Sequence, residues 1–223
     1  MQTSLNLQEW FGGIDIYLFD QLLKGRLVPG MRVLDAGCGS GRNLVYLLRS
    51  GFEVCGVDES SDAVAQTRRL ASALEQEAGA GGRRQAEKNE QNNKENNFRV
   101  EPVERMSWED GSFDVVLSSA VLHFARSEAQ WQAMMNEMWR VLKPGGIFFA
   151  RLASSIGIES QVKLREGRRY RLPDGSDRFL VDEAILLEAT AALGGEFLDP
   201  IKTTVVQNMR AMTTICLKKG LGF

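Results

Sequence analysis

The sequence predicts an α/β fold: a mostly parallel sheet sandwiched by helices, with an antiparallel strand pair at its end. Three observations predict it. Short apolar runs alternate with helix-spaced amphipathic segments over residues 31–153, the order of successive βαβ units. A glycine-rich bend directly follows the first of these runs, where an open α/β sheet receives its ligands. Two further runs close the chain, split only by Asn208-Met209, and read as a hairpin. At 223 residues the chain is long enough to bury a core and suits one domain.

Residues 14–27 carry Ile14, Tyr17, Leu18, Leu22 and Leu23 at helical spacing, ahead of a Pro29-Gly30 break. MRVLDAG is the first strand, RNLVYLLRS a helix stopping at Gly51, and FEVCGVD the second strand. Ser60 or Ser61 caps a helix carrying Ala63, Val64, Leu70, Ala71 and Leu74. Residues 79–97, GAGGRRQAEKNEQNNKENN, lack apolar periodicity and read as a mobile polar insertion. NFRVEP is a third strand and FDVVLSSAVLHF a fourth that enters a loop. Residues 127–142 place Trp131, Met134, Met135, Met138 and Trp139 on one helical face, which is core packing. GIFFARLA follows as a strand, and Pro173-Asp174-Gly175 suggests a hairpin within the irregular stretch 154–181. Asp182 caps a last helix ending at Gly194, before the closing strands FLDPIKTTVVQ and RAMTTICLKK. The organisation expected is an N-terminal helical lid (1–30), a core (31–153) with its insertion, a segment over 154–196, and a closing strand pair (197–219).

A formal net charge of -2 gives no reason to expect nucleic acid. The N-terminus has neither a basic start nor an apolar run, so it reads as mature protein, and nothing reaches membrane-spanning length. Three widely spaced cysteines make no disulfide framework and fit a reducing cytoplasm. One histidine and no Cys-x-x-Cys leave little from which to build a metal site.

The decisive segment is Val33-Leu34-Asp35-Ala36-Gly37-Cys38-Gly39-Ser40-Gly41-Arg42-Asn43. Its glycines let the backbone bend sharply and lie against a ligand, and the helix start beyond them offers free N–H groups. Dinucleotide-binding turns use G-x-G-x-x-G; here the spacing is G-x-G-x-G, with Arg42 where the third glycine would fall. An acidic residue two positions before Gly37 suits a ligand with a cationic amine rather than a pyrophosphate. Asp58 ends the second strand, and a carboxylate there accepts both hydroxyls of a ribose. Capping the next helix is its other reading, a role Ser60 or Ser61 already fills.

These motifs resemble the class I S-adenosylmethionine-dependent methyltransferases. The resemblance covers residues 31–153, with VLDAGCGSGRN, VDES, FDVVLSSAVLHF and VLKPGG in order. The GRN ending and compact size look like the bacterial tellurite-resistance and general small-molecule enzymes. The resemblance implies a Rossmann-like sandwich whose seven-stranded sheet takes its last strand antiparallel. It also implies that Gly37, Gly39 and Gly41 lie beneath the methionyl part of S-adenosyl-L-methionine, Asp35 near its amino group, and Asp58 on the ribose. One departure concerns the adenine. Related sequences carry an Asp after the third strand, where this chain has Pro102, leaving the backbone N–H of Val103 as the contact and Glu104 as the nearest carboxylate. Ser118, Ser119 and Ala120 line the floor beneath the methionine, or are simply small residues at a strand end.

Methyl transfer from a sulfonium is an in-line displacement, and alignment supplies much of the rate: effective molarities are worth about 7–11 kcal/mol. A general base helps only where the acceptor must lose a proton, and His123 is the candidate. A small-molecule acceptor is expected beneath a lid of Trp10, Phe11 and Tyr17, with Tyr170, Arg171 and Arg178 holding its anionic or polar group. Two alternatives stand beside this reading, a non-catalytic protein that binds the same donor and a nicotinamide-dependent oxidoreductase.

Overall fold

The computed structural model describes residues 6–79 and 97–221, and the chain forms two compact units, Met1–Pro102 and Val103–Phe223. The expected polar insertion falls, apart from its two end residues, outside the described residues.

In the first unit, α1 (Leu7–Phe11) and α2 (Ile16–Leu23) precede β1 (Arg32–Ala36), α3 (Val45–Arg49), β2 (Glu53–Asp58), α4 (Ser61–Gly79) and β3 (Phe98–Val100). The three strands are parallel, with Asp35 opposite Gly56 and Gly56 opposite Phe98. Val33, Leu34, Cys55 and Val57 are fully buried, as expected for strands covered on both faces. The helix expected over 14–27 is shorter. Asp15 caps it by accepting from Tyr17 N at 3.0 Å, and the left-handed Gly25 (φ +67) ends it. α1 was not foreseen; at five residues it is too short to show a hydrophobic period, and Asn6 caps it through Gln8 N and Glu9 N. α3 starts only at Val45, because residues 41–44 are spent in turns. Ser60 is the cap of α4, its hydroxyl accepting from Ala63 N at 3.3 Å.

In the second unit, β4 (Phe113–Ser119) leads through one 3-10 turn, Leu122–Phe124, into α5 (Glu128–Val141), which runs straight into β5 (Leu142–Ser154). β4 and β5 are parallel. The Met/Trp face of α5 is buried, as its spacing required. The stretch expected to be irregular holds a small antiparallel sheet, β6 (Lys163–Glu166), β7 (Arg169–Arg171) and β8 (Asp177–Phe179), and the expected hairpin joins β7 to β8. Then come α6 (Glu183–Ala192), capped by Asp182 through Ile185 N at 2.9 Å, and β9 (Gly195–Phe197). β10 (Lys202–Val206) and β11 (Arg210–Lys219) form the closing hairpin. β11 also lies antiparallel to β5 over eight register pairs, from Ala211–Ser154 to Lys218–Ile147. Its last residue reaches back: Lys219 Nζ donates to the carbonyls of Trp139 (2.6 Å) and Leu142 (2.8 Å), closing the C-terminal end of α5. No helix among the described residues is long and apolar enough to cross a membrane, and all three cysteines are buried with none in a disulfide.

Candidate active site

The glycine bend of the first unit is pinned to the end of β2 by backbone bonds. Gly37 N and Cys38 N both donate to the Val57 carbonyl, at 2.8 and 2.9 Å. All three glycines adopt positive φ, +86, +53 and +82 for Gly37, Gly39 and Gly41. Their roles separate when a methyl is imagined on each. On Gly41 it would meet Leu70 Cδ2 at 2.9 Å and Thr67 Oγ1 at 3.2 Å, so this glycine lets α4 pack against the bend. On Gly39 it would meet nothing within 4 Å. That face of the bend is open.

Asp58 closes the bend from the second strand. Its Oδ2 accepts from Gly39 N at 3.0 Å and its Oδ1 from Ser60 N at 2.9 Å. Each carboxylate oxygen has a second lone pair, so these bonds orient the group and leave acceptor capacity. Thr67 supports the bend from α4, its hydroxyl donating to the Gly39 carbonyl at 2.8 Å. Sequence reasoning missed Thr67, which sits at an ordinary helical position with no motif around it.

Asp35 is the unusual group. It is 1% exposed, and its Oδ1 has no hydrogen-bond partner. Burial pushes its pKa up to about 7, with the Arg42 guanidinium opposing and the Asp58 charge reinforcing the rise. An acid buried with an unpartnered oxygen costs free energy in the free protein. A buried acceptor left open in this way has the capacity to take a hydrogen bond from a bound group.

Asn43 ties the N-terminal helices to this bend. Its Oδ1 accepts from Asp15 N at 2.9 Å, both residues being buried. Phe11 stacks on Tyr46 at 5.0 Å and meets Phe19 edge-on at 4.9 Å. Between α1 and α2 opens an apolar cavity of about 360 Å³ lined by Leu7, Phe11, Ile14, Ile16 and Phe19. Tyr17 does not line it. Trp10, 41% exposed, lies by Arg49.

Val103 opens the second unit, buried to 5%, and its amide has no hydrogen-bond partner among the described residues. Glu104 is turned to other use: its Oε1 accepts from Gln130 Nε2 of α5 at 2.8 Å. Ser119 ends β4 opposite Arg151 and is 8% exposed. Ala120 next to it takes φ +66, which an L-residue other than glycine adopts at a cost of about 1–2 kcal/mol. Its amide is held by the Arg151 carbonyl at 2.7 Å, and this reversal launches the turn that carries His123.

His123 is 7% exposed, and its Nδ1 accepts from Ala153 N at 3.3 Å. Burial, with Arg178 nearby, lowers its pKa to about 4. The ring is therefore neutral near pH 7, with its proton on Nε2. Its centroid lies 4.5 Å from that of Phe124, and the Arg178 guanidinium lies over Phe124 at 5.0 Å. Tyr170 is the cross-strand partner of Arg178 and packs on Ala153, Leu172 and Leu180. Thus His123, Tyr170 and Arg178, far apart in the chain, gather in one unit, joined by Phe124, which sequence reasoning did not single out. Arg171 stands apart, on the opposite face of β7 and paired with Asp177 at 2.7 Å.

Comparison with known proteins bears on the whole. The signature of a methyltransferase domain matches residues 34–150. An uncharacterised methyltransferase of Synechocystis is 32% identical over 54% of this chain and 46% of its own length. Malonyl-acyl-carrier-protein O-methyltransferase of Enterobacter lignolyticus is 29% identical over 86% of this chain and 64% of its own length. The chain thus spans about half to two thirds of the length of these curated relatives. Among solved structures, the PH0226 protein of Pyrococcus horikoshii superposes with a TM-score of 0.66 at 21% identity, over 92% of this chain and 89% of that one. A S-adenosylmethionine-dependent methyltransferase of Methanosarcina mazei gives 0.65 at 22%, over 90% and 98%. These likenesses show the fold, a Rossmann-like α/β arrangement with a mostly parallel sheet, as expected.

Proposed function

The chain belongs to the methyltransferase-domain family, the class I S-adenosylmethionine-dependent enzymes whose motifs its sequence carries, and on that premise we propose that it methylates a small-molecule acceptor by in-line displacement. The nicotinamide-dependent alternative falls with that membership. The carrying observation is the Asp35 carboxyl, buried with Oδ1 unpartnered, in the same unit as the open face of Gly39. A donor with an ammonium and a flat, sulfur-linked chain fits both: the amine supplies the missing hydrogen bond, and the chain lies where a side chain at position 39 would stand.

On this reading Gly37, Gly39 and Gly41 form the bed of the methionyl part and Asp35 binds its ammonium. Asp58, already oriented by two backbone amides, accepts from the ribose hydroxyls. The unpartnered amide of Val103 replaces the carboxylate that relatives offer to adenine, since Glu104 is engaged by Gln130. Ser119 belongs to the floor. When bound, the donor supplies a sulfonium methyl, which a nucleophile's lone pair takes as the C–S electrons return to sulfur.

The chain's own part is alignment and exclusion of water. His123 serves the acceptor side as a hydrogen-bond donor through Nε2. Its other nitrogen already accepts from Ala153, which speaks against a base. Tyr170 and Arg178 hold the acceptor, with Tyr17 contributing from α2. Three buried thiols, none of them in a disulfide, support a reducing cytoplasm as the compartment.

Calorimetry with S-adenosylmethionine and S-adenosylhomocysteine, followed by labelling of a metabolite extract with methyl-labelled donor, tests the proposal. Saturable binding of both and a labelled small product are expected. Folded protein that gives no heat with either overturns it, and binding without any labelled product leaves a donor-binding protein that is no enzyme.

A further inference from the structure

The arginines of residues 163–182 are mostly neutralised. Arg165 and Arg171 pair with Asp177 at 3.7 and 2.7 Å, and Arg168 pairs with Asp182 at 2.9 Å. Arg169 pairs with no carboxylate among the described residues but lies on the opposite face from Arg178, across from Phe179. Arg178 is half-buried and pairs with no carboxylate among the described residues. Its Nη1 donates to the Asp177 carbonyl at 2.8 Å, and its plane rests over Phe124. Asp174 feels its charge from beyond ion-pair distance and is held in its own turn by Ser176 N and Oγ.

A guanidinium so placed has given up part of its hydration and gained no counter-charge. Its neighbours add donors and ring faces, and none is a base: the neutral imidazole of His123 with its proton on Nε2, the Tyr170 phenol, and Phe124, 61% exposed. A planar, singly charged oxyanion on an apolar body complements this set, because a guanidinium pairs a carboxylate through two parallel hydrogen bonds. A phosphate dianion would need a second cation, and neither the cross-strand neighbour of Arg178, Tyr170, nor the ring beneath it, Phe124, supplies one.

We propose that Arg178, resting on Phe124 and flanked by Tyr170, binds the carboxylate of the acceptor, so that the substrate class is small carboxylic acids with an apolar or aromatic body. This rests on the methyltransferase reading above and narrows its acceptor.

The chain contains a single histidine, so the imidazole NMR signals of His123 report this cluster without assignment ambiguity. With the protein saturated by S-adenosylhomocysteine, phenylacetate and octanoate are titrated against phenylacetamide and octanamide. Either acid should move the His123 signals saturably while its amide does not. Arg178→Gln should weaken acid binding at least tenfold and leave S-adenosylhomocysteine affinity unchanged. Arg178→Lys, which keeps the charge without the bidentate fork, should fall between. The inference is overturned if acids and amides act alike, if neither acid moves the signals, or if both variants bind acid as the parent does. Failure of the parent to bind S-adenosylhomocysteine would instead sink the methyltransferase reading, so the two failures are told apart.

Discussion

Around Gly39 the first unit gathers two carboxylates, Asp35 and Asp58, and holds them with backbone amides or not at all. Around Phe124 the second unit gathers a guanidinium, a neutral imidazole and a phenol, with no carboxylate within ion-pair distance of Arg178 among the described residues. One region carries unmet acceptors and the other unmet donors. Both are uneconomical in the free protein, and each becomes favourable only with a ligand of the opposite character. In the reaction we propose, the difference assigns each region its half: the cationic methyl donor goes with the acids, and the acceptor with the donors of hydrogen bonds.

The strongest way to break that contrast is Asp35→Asn. Burial lifts Asp35 from its ordinary 3.8 to about 7, so its contribution to stability is full below about pH 3.8 and lost as pH rises through about 7. The shift corresponds to roughly 4 kcal/mol at 1.36 kcal/mol per pH unit. Asp35→Asn should therefore raise the stability of the free protein at pH 8, read from denaturant melts, with little gain at pH 4. In calorimetry it should weaken donor binding by about 1.5–3 kcal/mol, the range for hydrogen bonds to charged groups. A variant that gains stability and keeps its affinity would remove Asp35 from the site.

Two glycine substitutions come next. Gly41→Ala adds a methyl 2.9 Å from Leu70 Cδ2 at φ +82 and should destabilise the fold by roughly 2–4 kcal/mol, combining left-handed strain with overpacking. Gly39→Ala meets nothing, so it should cost only about 1–2 kcal/mol in stability, while donor affinity drops at least tenfold. Equal effects of the two on melting temperature and on donor affinity would erase the distinction between a packing glycine and a binding one.

A smaller effect is the pH dependence of donor binding in the unmodified protein. Below about pH 7 the ammonium must displace a proton from Asp35, so affinity should rise with pH up to that point. Calorimetry in two buffers of different ionisation enthalpy would reveal the released proton; no buffer dependence at pH 6 would count against the pairing.

The smallest expected change belongs to His123. With a pKa near 4 and Nδ1 occupied, it should add no limb near pH 6.5 to kcat at saturating donor. His123→Asn should cost less than the roughly 100-fold or more that loss of a general base brings. A limb near neutrality that vanishes in this variant would restore the base.

The glycine bend was legible because it is local: Asp35, the three glycines and Asp58 lie within one βαβ unit, and backbone hydrogen bonds fix the shape of the bend. The proposed acceptor side was only half legible, for its parts come from a turn after β4 and a hairpin some fifty residues on. β6, β7 and β8 are only four, three and three residues long, too short for a period of two to stand out from the loop around them. Phe124 drew no notice because an exposed aromatic after a V-L-H run looks ordinary until a guanidinium is found over it. α1 and β9 were lost to length, at five and three residues.

The contact between Lys219 and the carbonyls of Trp139 and Leu142 joins residues 80 and 77 positions apart. Until the ribosome has released that lysine, β5 lacks its β11 neighbour and the helix before it ends on bare carbonyls. The second unit is thus a structure whose keystone arrives last: contacts of such long sequence separation form slowly, and a nascent chain stalled before β11 would show a chaperone an open sheet edge.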